Sequence, residues 1–141
     1  MGYKFKILSE QKASELENKI IREGIVQFNK PFLGGKPECY TVLAKDKEDN
    51  TIGGAIVYAH PKSVYVDILW VCDNHRGFGI GKSLLNRVET EAKRRNIMQC
   101  TLDTFSFQAE AFYLKQGYQQ IGIINDYIDG YDRIYLRKLI K

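Results

Sequence analysis

The sequence predicts one α/β (α+β) domain, spanning residues 1–141, with a mixed, mostly antiparallel central sheet flanked by helices. The length suits one hydrophobic core, and a composition of 44% hydrophobic and 27% charged residues is typical of globular domains. A strand, a glycine-rich turn, a helix and a second strand follow one another between residues 63 and 105, which predicts one parallel βαβ unit. The remaining strands are joined by short turns, as antiparallel neighbours are.

The N-terminal segment predicts a strand, a helix and a long loop. Residues 3–8 alternate enough for a strand, and Ser9 offers a helix cap before apolar residues at helical spacing. Gly24 is expected to end or interrupt that helix. Residues 25–37 contain two prolines and two glycines and therefore predict a binding loop, with a short second helix as the alternative.

The next part of the chain predicts an antiparallel meander. Three strand-like runs cover residues 40–45, 52–58 and 63–71. They are separated by the turn signals Asp49-Asn50 and Pro61-Lys62. The three strands are therefore expected to pair in sequence order.

The second half predicts two helices and three strands. These are a helix at 83–92, a strand at 98–105, a helix at 109–116, and strands at 118–127 and 131–138. Asn96 is expected to close the first helix in the left-handed conformation, and Gly117 to end the second. Asp129-Gly130 predicts a hairpin turn between the last two strands.

The charge pattern does not favour nucleic-acid binding. The formal net charge is +4, and the basic residues are scattered except for the run Lys93-Arg94-Arg95. Cations are favoured in the last turn of a helix, so this run needs no nucleic-acid partner to explain it. A nucleic-acid-binding domain would place its basic residues in a stripe with aromatic residues between them.

The cysteines and the hydropathy pattern predict a cytoplasmic protein. Cys39, Cys72 and Cys100 lie far apart, show no metal-ligand spacing and cannot all pair within one chain, so no metal and a reducing compartment are expected. No apolar run approaches the roughly 18 residues of a membrane span, and the N-terminus has no signal-peptide core.

The turn with three glycines has the context of a phosphate-binding loop. It follows the strand at 66–71 and precedes a helix, so backbone N–H groups and the positive helix end converge on one point. Gly77-Phe78-Gly79-Ile80-Gly81 runs G-x-G-x-G, whereas a dinucleotide fingerprint requires G-x-G-x-x-G. A P-loop would need a glycine at position 76, where Arg76 stands.

The loop Arg76-Gly77-Phe78-Gly79-Ile80-Gly81 matches R-x-x-G-x-G, and at this point the chain resembles the GNAT superfamily of N-acetyltransferases. The resemblance covers roughly residues 40–138 and includes residues 108–113, followed by Gly117-Tyr118. It implies acetyl-CoA as co-substrate and an amine as acceptor. In that family the strand before the loop splays away from its parallel neighbour, and the pantetheine arm lies in the gap.

The resemblance also implies a coenzyme site. Leu69 and Val71 would offer main-chain groups to the pantetheine and to the acetyl carbonyl, where N–H donors stabilise an oxyanion. The loop would cradle the pyrophosphate. The implied coenzyme-binding residues are Leu69, Val71, Arg76, Gly77, Phe78, Gly79, Ile80, Gly81, Lys82 and Ser83.

Two residues are candidates for catalysis. Tyr113 stands where the family places a tyrosine that protonates the departing thiolate; the alternative is a core aromatic residue beside Phe112. Asp67 alternates with Leu69 and Val71, so it is expected to face the acceptor as a base or amine-holding carboxylate, unless it is a structural aspartate.

Other titratable residues are less favoured as catalysts. Asp103 is a weaker candidate for the base, and His60 and His75 are expected in turns or loops. No histidine is placed to activate Cys72 or Cys100, so direct attack by the amine is preferred over a covalent acyl-enzyme.

The acceptor is left open by the sequence, as either a small molecule or a protein. Phe28, Phe32 and several tyrosines are candidates for its pocket. Three aspartates near the last hairpin, Asp126, Asp129 and Asp132, would favour a cationic amine but are also expected as turn residues. The alternative function is a non-catalytic acyl-CoA-binding sensor or assembly subunit. Edge strands of the final hairpin offer a surface for pairing in a homodimer.

Overall fold

The computed structural model describes Gly2 and residues 4–141. The chain forms two compact units. The first consists of the described residues up to Lys36, and the second is Pro37–Lys141.

The first unit contains one helix, α1 (Glu15–Leu33), which is longer than the sequence predicts. Ser14 is its cap, and the Ser14 side chain accepts a hydrogen bond from the Glu17 N–H at 3.2 Å. Gly34 ends the helix at φ 79°, where its N–H donates to the Lys30 carbonyl at 2.9 Å.

Four predictions for this unit were therefore wrong. The cap of α1 is Ser14 and not Ser9, because the helix begins only at Glu15. Residues 4–8 form no strand, and Tyr3 lies outside the described residues. Gly24 does not interrupt α1, because a glycine inside a helix costs only about 1 kcal/mol. The predicted loop is largely helical because Pro31 lies in the last turn, so its missing N–H removes one hydrogen bond close to the natural end of the helix.

The second unit contains a six-stranded sheet and two helices, as the sequence predicts. The strands are β1 (Glu38–Lys45), β2 (Thr51–Ala59), β3 (Val64–Val71), β4 (Gln99–Phe105), β5 (Gln119–Ile128) and β6 (Tyr131–Leu139). Their order in the sheet is β1-β2-β3-β4-β6-β5. Only β3 and β4 are parallel, which confirms the mixed, mostly antiparallel fold class.

The helices of this unit are α2 (Ile80–Arg94) and α3 (Glu110–Lys115), and a short 3-10 segment, Asp73–His75, precedes α2. Leu85 and Val88 on α2 are fully buried and belong to the same core cluster as Val64 and Cys100 of the sheet. Burying each such side chain stabilises the fold by about 1.5–3 kcal/mol. This packing fixes α2 against the strand that leads into the glycine loop.

The predicted turns are confirmed. Asn96 follows α2 at φ 61°, and Gly117 follows α3 at φ 92°. Asp129 and Gly130 both have positive φ, at 29° and 87°, as a tight hairpin turn requires. Among the described residues, no helix is both long and apolar enough to cross a membrane.

Candidate active site

The parallel pair β3–β4 separates after only three residue pairs. Val64, Tyr65 and Val66 pair with residues 100–102, and no pairing with β4 follows. β3 continues along β2 as far as Val71, and β4 continues along β6. The two strands therefore diverge, and residues 67–71 face a gap in the sheet.

A β-bulge lies where the gap begins. Ile56 of β2 is opposite Ile68, whereas the next residue, Val57, is opposite Val66, so Asp67 has no partner in the register. Asp67 therefore stands at the bulge itself, and its place on one face with Leu69 and Val71 stays a prediction. The extra residue interrupts the two-residue period, and Asp67 is exposed at the start of the gap.

The gap opens into a cleft of about 800 Å³. Three segments line it: the end of β3, the glycine loop with the first turn of α2, and the β4–α3 connection with α3. The predicted site residues in its lining are Leu69, Val71, Arg76, Gly77, Gly79, Ile80, Gly81, Lys82 and Tyr113. Phe78, Ser83 and Asp67 are not part of this lining.

The glycine loop presents free backbone donors to the cleft. Gly79 is the N-cap of α2 at φ 83°, it makes no side-chain cap, and the first turn contains no acidic residue. The Ser83 N–H donates to the Gly79 carbonyl at 3.0 Å. The N–H groups of residues 80–82 precede that first intrahelical bond, so they remain available to an anion at the positive end of the helix.

Arg76 fastens the loop to the end of β3. Its Nε donates to the Val71 carbonyl at 3.0 Å, and its Nη1 lies 2.9 Å from Asp73 Oδ1. The Val71 carbonyl is therefore occupied within the protein. Arg76 shapes the loop as well as placing a positive charge at the rim of the cleft.

Tyr113 belongs both to the core and to the cleft. It is only 7% exposed, and its ring packs edge-on against Phe112 and Tyr118 at centroid distances of 5.2 and 5.9 Å. Burial, together with the nearby Cys100 and Asp103, raises the pKa of Tyr113 to about 12. The phenol therefore keeps its proton at neutral pH, as a proton donor must.

Sequence reasoning missed several residues that shape the cleft. Gly53 of β2 lies so close to β3 that an added Cβ would stand 2.9 Å from the Trp70 carbonyl oxygen. Its signal was a glycine inside a strand pattern, which marks close approach of two backbones. Gln108 shapes the β4–α3 turn, where its Oε1 accepts from the Phe105 N–H at 2.7 Å.

The three cysteines, all among the described residues, are free thiols. Cys100 is fully buried, and desolvation raises its pKa to about 12, so its thiolate is scarcely populated at neutral pH. Cys72 is half-buried and Cys39 is exposed. Within the part of the chain that the structure describes, no group of His, Cys, Asp or Glu side chains is arranged to hold a metal ion.

His60 is a turn residue, as expected, whereas His75 is the last residue of the 3-10 segment and not a loop residue. The His60 N–H donates to the Ser63 carbonyl in the β2–β3 turn. His75 lines the cleft, and its Nδ1 is buried without a hydrogen-bond partner among the described residues.

Asp103, considered as a base, is engaged in a network of side chains. It accepts a hydrogen bond from the Tyr65 hydroxyl at 2.5 Å and from Arg133 Nε at 3.0 Å. Two carboxylates of the last hairpin form hydrogen bonds within its turn. Asp132 accepts from the Asp126 N–H, and Asp126 accepts from the Gly130 N–H. For these two residues the turn interpretation is confirmed.

Known proteins share this fold and the segments around the cleft. Residues 36–120, which contain β1 to α3, match the model of the acetyltransferase (GNAT) domain. The chain is 31% identical over 102 residues to blasticidin-S acetyltransferase of Streptomyces morookaense, covering 71% of this chain and 75% of that protein. It is 29% identical over 133 residues to an acetyltransferase of Agrobacterium fabrum, covering 94% and 96%. A solved acetyltransferase from Bacillus cereus ATCC 14579 is similar at a TM-score of 0.81 and 28% identity, covering 94% of this chain and 98% of that one.

Proposed function

The chain belongs to the GNAT family of acetyltransferases, and from that premise we propose that it transfers an acetyl group directly from acetyl-CoA to a primary amine. The observation that carries the proposal is the divergence of β3 from β4 above a cleft that ends at the uncapped N-terminus of α2. An extended thioester with a pyrophosphate at one end fits such a cleft. The acceptor is a small molecule or a protein.

The proposed coenzyme site follows the lining of the cleft. The backbone N–H groups of Ile80, Gly81 and Lys82 would bind the pyrophosphate, because they lack partners and stand at the positive end of α2. The main chain of Leu69 and Val71 borders the gap and would hold the pantetheine arm. Phe78 and Ser83 are also proposed as coenzyme-binding residues, although they lie beside the lining of the cleft.

The proposed reaction is a direct acyl transfer. The amine nitrogen attacks the thioester carbon, main-chain N–H groups on β3 stabilise the oxyanion, and the C–S bond then breaks. Tyr113 gives its proton to the departing thiolate, and Asp67, exposed at the start of the gap, takes the proton released by the amine or holds that amine. An acyl intermediate on Cys100 is not favoured, because that thiol is buried and protonated.

The relatives suggest where to look for the acceptor. One curated relative is named for blasticidin S, so antibiotics that carry amino groups are the first acceptors to test. The free thiols agree with a proposed cytoplasmic location. A homodimer through β5, an edge strand of the sheet, also remains part of the proposal.

The test is release of free CoA from acetyl-CoA across a panel of amines: blasticidin S, aminoglycosides, polyamines, amino acids and lysine peptides. We expect turnover with at least one acceptor, together with an acetylated product of the expected mass. Binding of acetyl-CoA in calorimetry without turnover on any amine would instead support the acyl-CoA sensor. Absence of both binding and turnover would contradict the proposal that the cleft binds acetyl-CoA.

A further inference from the structure

Four aromatic side chains form a continuous surface, here called the aromatic patch: Phe105, Phe107, Tyr127 and Tyr131. Phe105 stacks on Phe107 at 5.5 Å with ring planes 3° apart, and on Tyr127 at 5.9 Å. Tyr131 meets Phe107 edge-on at 4.9 Å. Phe107, Tyr127 and Tyr131 are 56%, 46% and 47% exposed. Contiguous exposed rings of this kind commonly mark a binding surface.

The aromatic patch adjoins the cleft. Phe107 belongs to both, because it lines the cleft and contacts Phe105 and Tyr131. Phe105 is the last residue of β4, on the side of the gap that faces the diverging end of β3. The patch therefore lies where an acceptor approaching the proposed thioester site would rest.

Arg133, a cation beside the aromatic patch, is already paired. Arg133 lies over the rings of Tyr127 and Tyr135, at 5.0 and 5.4 Å, and its Nη1 donates to the Tyr127 hydroxyl at 2.9 Å. Its charge is balanced by Asp103, which also accepts from Tyr65. The Asp103 carboxylate is therefore not free to hold the amine of the acceptor.

We infer that the acceptor carries a flat, unsaturated ring that stacks on the aromatic patch while its primary amine reaches the start of the gap. The inference rests on the proposed function and adds the chemical class of the acceptor. Stacked and edge-on aromatic contacts stabilise a bound ring beyond simple burial, by an amount that a saturated ring of equal size does not gain.

The test compares two amines that differ only in the ring, 2-phenylethylamine and 2-cyclohexylethylamine, with spermidine as the cationic alternative. We expect kcat/KM to favour the phenyl compound by about 3- to 10-fold. A surface that was merely apolar would favour the cyclohexyl compound, which is the more hydrophobic of the two. Equal or better use of cyclohexylethylamine or spermidine would overturn the inference.

Variants connect this preference to the aromatic patch. Phe107→Leu and Tyr131→Leu should each reduce the phenyl-to-cyclohexyl ratio towards one. Tyr131 is outside the lining of the cleft, so Tyr131→Leu should leave the KM for acetyl-CoA unchanged. The control is Leu139→Ala, because Leu139 is also exposed but lies at the opposite end of β6. A ratio unchanged in both aromatic variants, with the fold intact by circular dichroism, would also overturn the inference.

The two proposals fail in different ways. If no amine releases CoA, the proposed function fails before the ring preference can be measured. If amines are acetylated without preference for a flat ring, the function stands and the acceptor class is wrong.

Discussion

The phenol of Tyr113 is held by the same contacts that keep it protonated. Its ring packs against Phe112 and Tyr118, so its position depends on the core. The same burial raises its pKa to about 12 and makes it a weaker acid. A thiolate needs little help to leave, because a thiol has a pKa near 8.5, so a weak but permanently protonated acid suffices.

Replacing Tyr113 by Phe should therefore separate catalysis from packing. The ring and its contacts remain, so the affinity for acetyl-CoA should hold while kcat falls on the order of 10²-fold. The measurement is steady-state kinetics at saturating substrates, with calorimetry for binding. In the wild type, the pKa of about 12 means that ionisation of this phenol should not lower the rate below about pH 10.

Full activity of Tyr113→Phe, with chemistry shown to limit turnover, would mean that Tyr113 is not the acid. Its role would then be confined to packing. A Tyr113→Phe variant that loses affinity for acetyl-CoA would equally contradict the separation proposed here.

Single residues could be predicted from the sequence where a local rule governs them. Asn96 and Gly117 were predicted because the end of a helix restricts the conformation of the residue that follows. The bulge at Asp67 could not be predicted, because a β-bulge depends on how β2 and β3 pair, which the pattern of one strand does not reveal. The hydrogen bonds of Tyr65 and Arg133 to Asp103 join three strands, so they could not be predicted from the sequence either.

At the scale of elements, the N-terminus of α2 should bind the coenzyme only if Gly79 keeps its backbone free of a side chain. Gly79 has φ 83° and ψ 9°, and an added Cβ would meet no protein atom within 4 Å. Gly79→Ala would therefore place a methyl group beside the proposed anion site, in a conformation that costs roughly 1–2 kcal/mol for any L residue. We expect its Kd for acetyl-CoA in calorimetry to rise at least about tenfold.

The matched control is Gly34→Ala. Gly34 has nearly the same conformation, at φ 79° and ψ 9°, but it caps α1 and lies outside the glycine loop. Both variants should lose similar thermal stability, whereas only Gly79→Ala should lose affinity. Equal affinity for acetyl-CoA in the two variants would show that the glycine loop does not bind the coenzyme.

Elements were predictable where their signals are local. The meander from β1 to β3 and the final hairpin follow turn residues that are read directly from the chain. Helix α1 was predicted too short because glycine and proline were taken as breaks. Their cost is a few kcal/mol or less, and it depends on where in the helix they stand.

For the second unit as a whole, the sequence predicts the order of the helices and strands, but it does not predict the gap between β3 and β4. The glycine loop indicates that β3 and β4 are parallel, because a helix connects them. It does not indicate that they pair at only three positions, from Val64 to Val66. The cleft lies at that divergence, and its lining includes Leu69, Trp70 and Val71 of β3.

One thiol and two phenols buried in the core predict how the stability of the protein depends on pH. Burial raises the pKa of the Cys100 thiol and of the Tyr113 phenol to about 12, and it also raises the pKa of Tyr118. Above about pH 9 the unfolded chain loses protons that the folded chain retains. The unfolded state then binds fewer protons, so the free energy of unfolding falls as pH rises from about 9 towards 12.

Urea unfolding at pH 8, 10 and 11 measures this fall. For Cys100 alone, a shift of this size corresponds to a loss on the order of 2 kcal/mol by pH 11. The control is Cys100→Ala, which removes the titrating thiol at the cost of a small cavity. We expect this variant to be less stable at pH 8 but to lose less stability between pH 8 and 11, and to retain acetyl transfer because the proposed reaction does not use the thiol. Equal pH slopes in the two proteins would show that the Cys100 proton does not stabilise the fold.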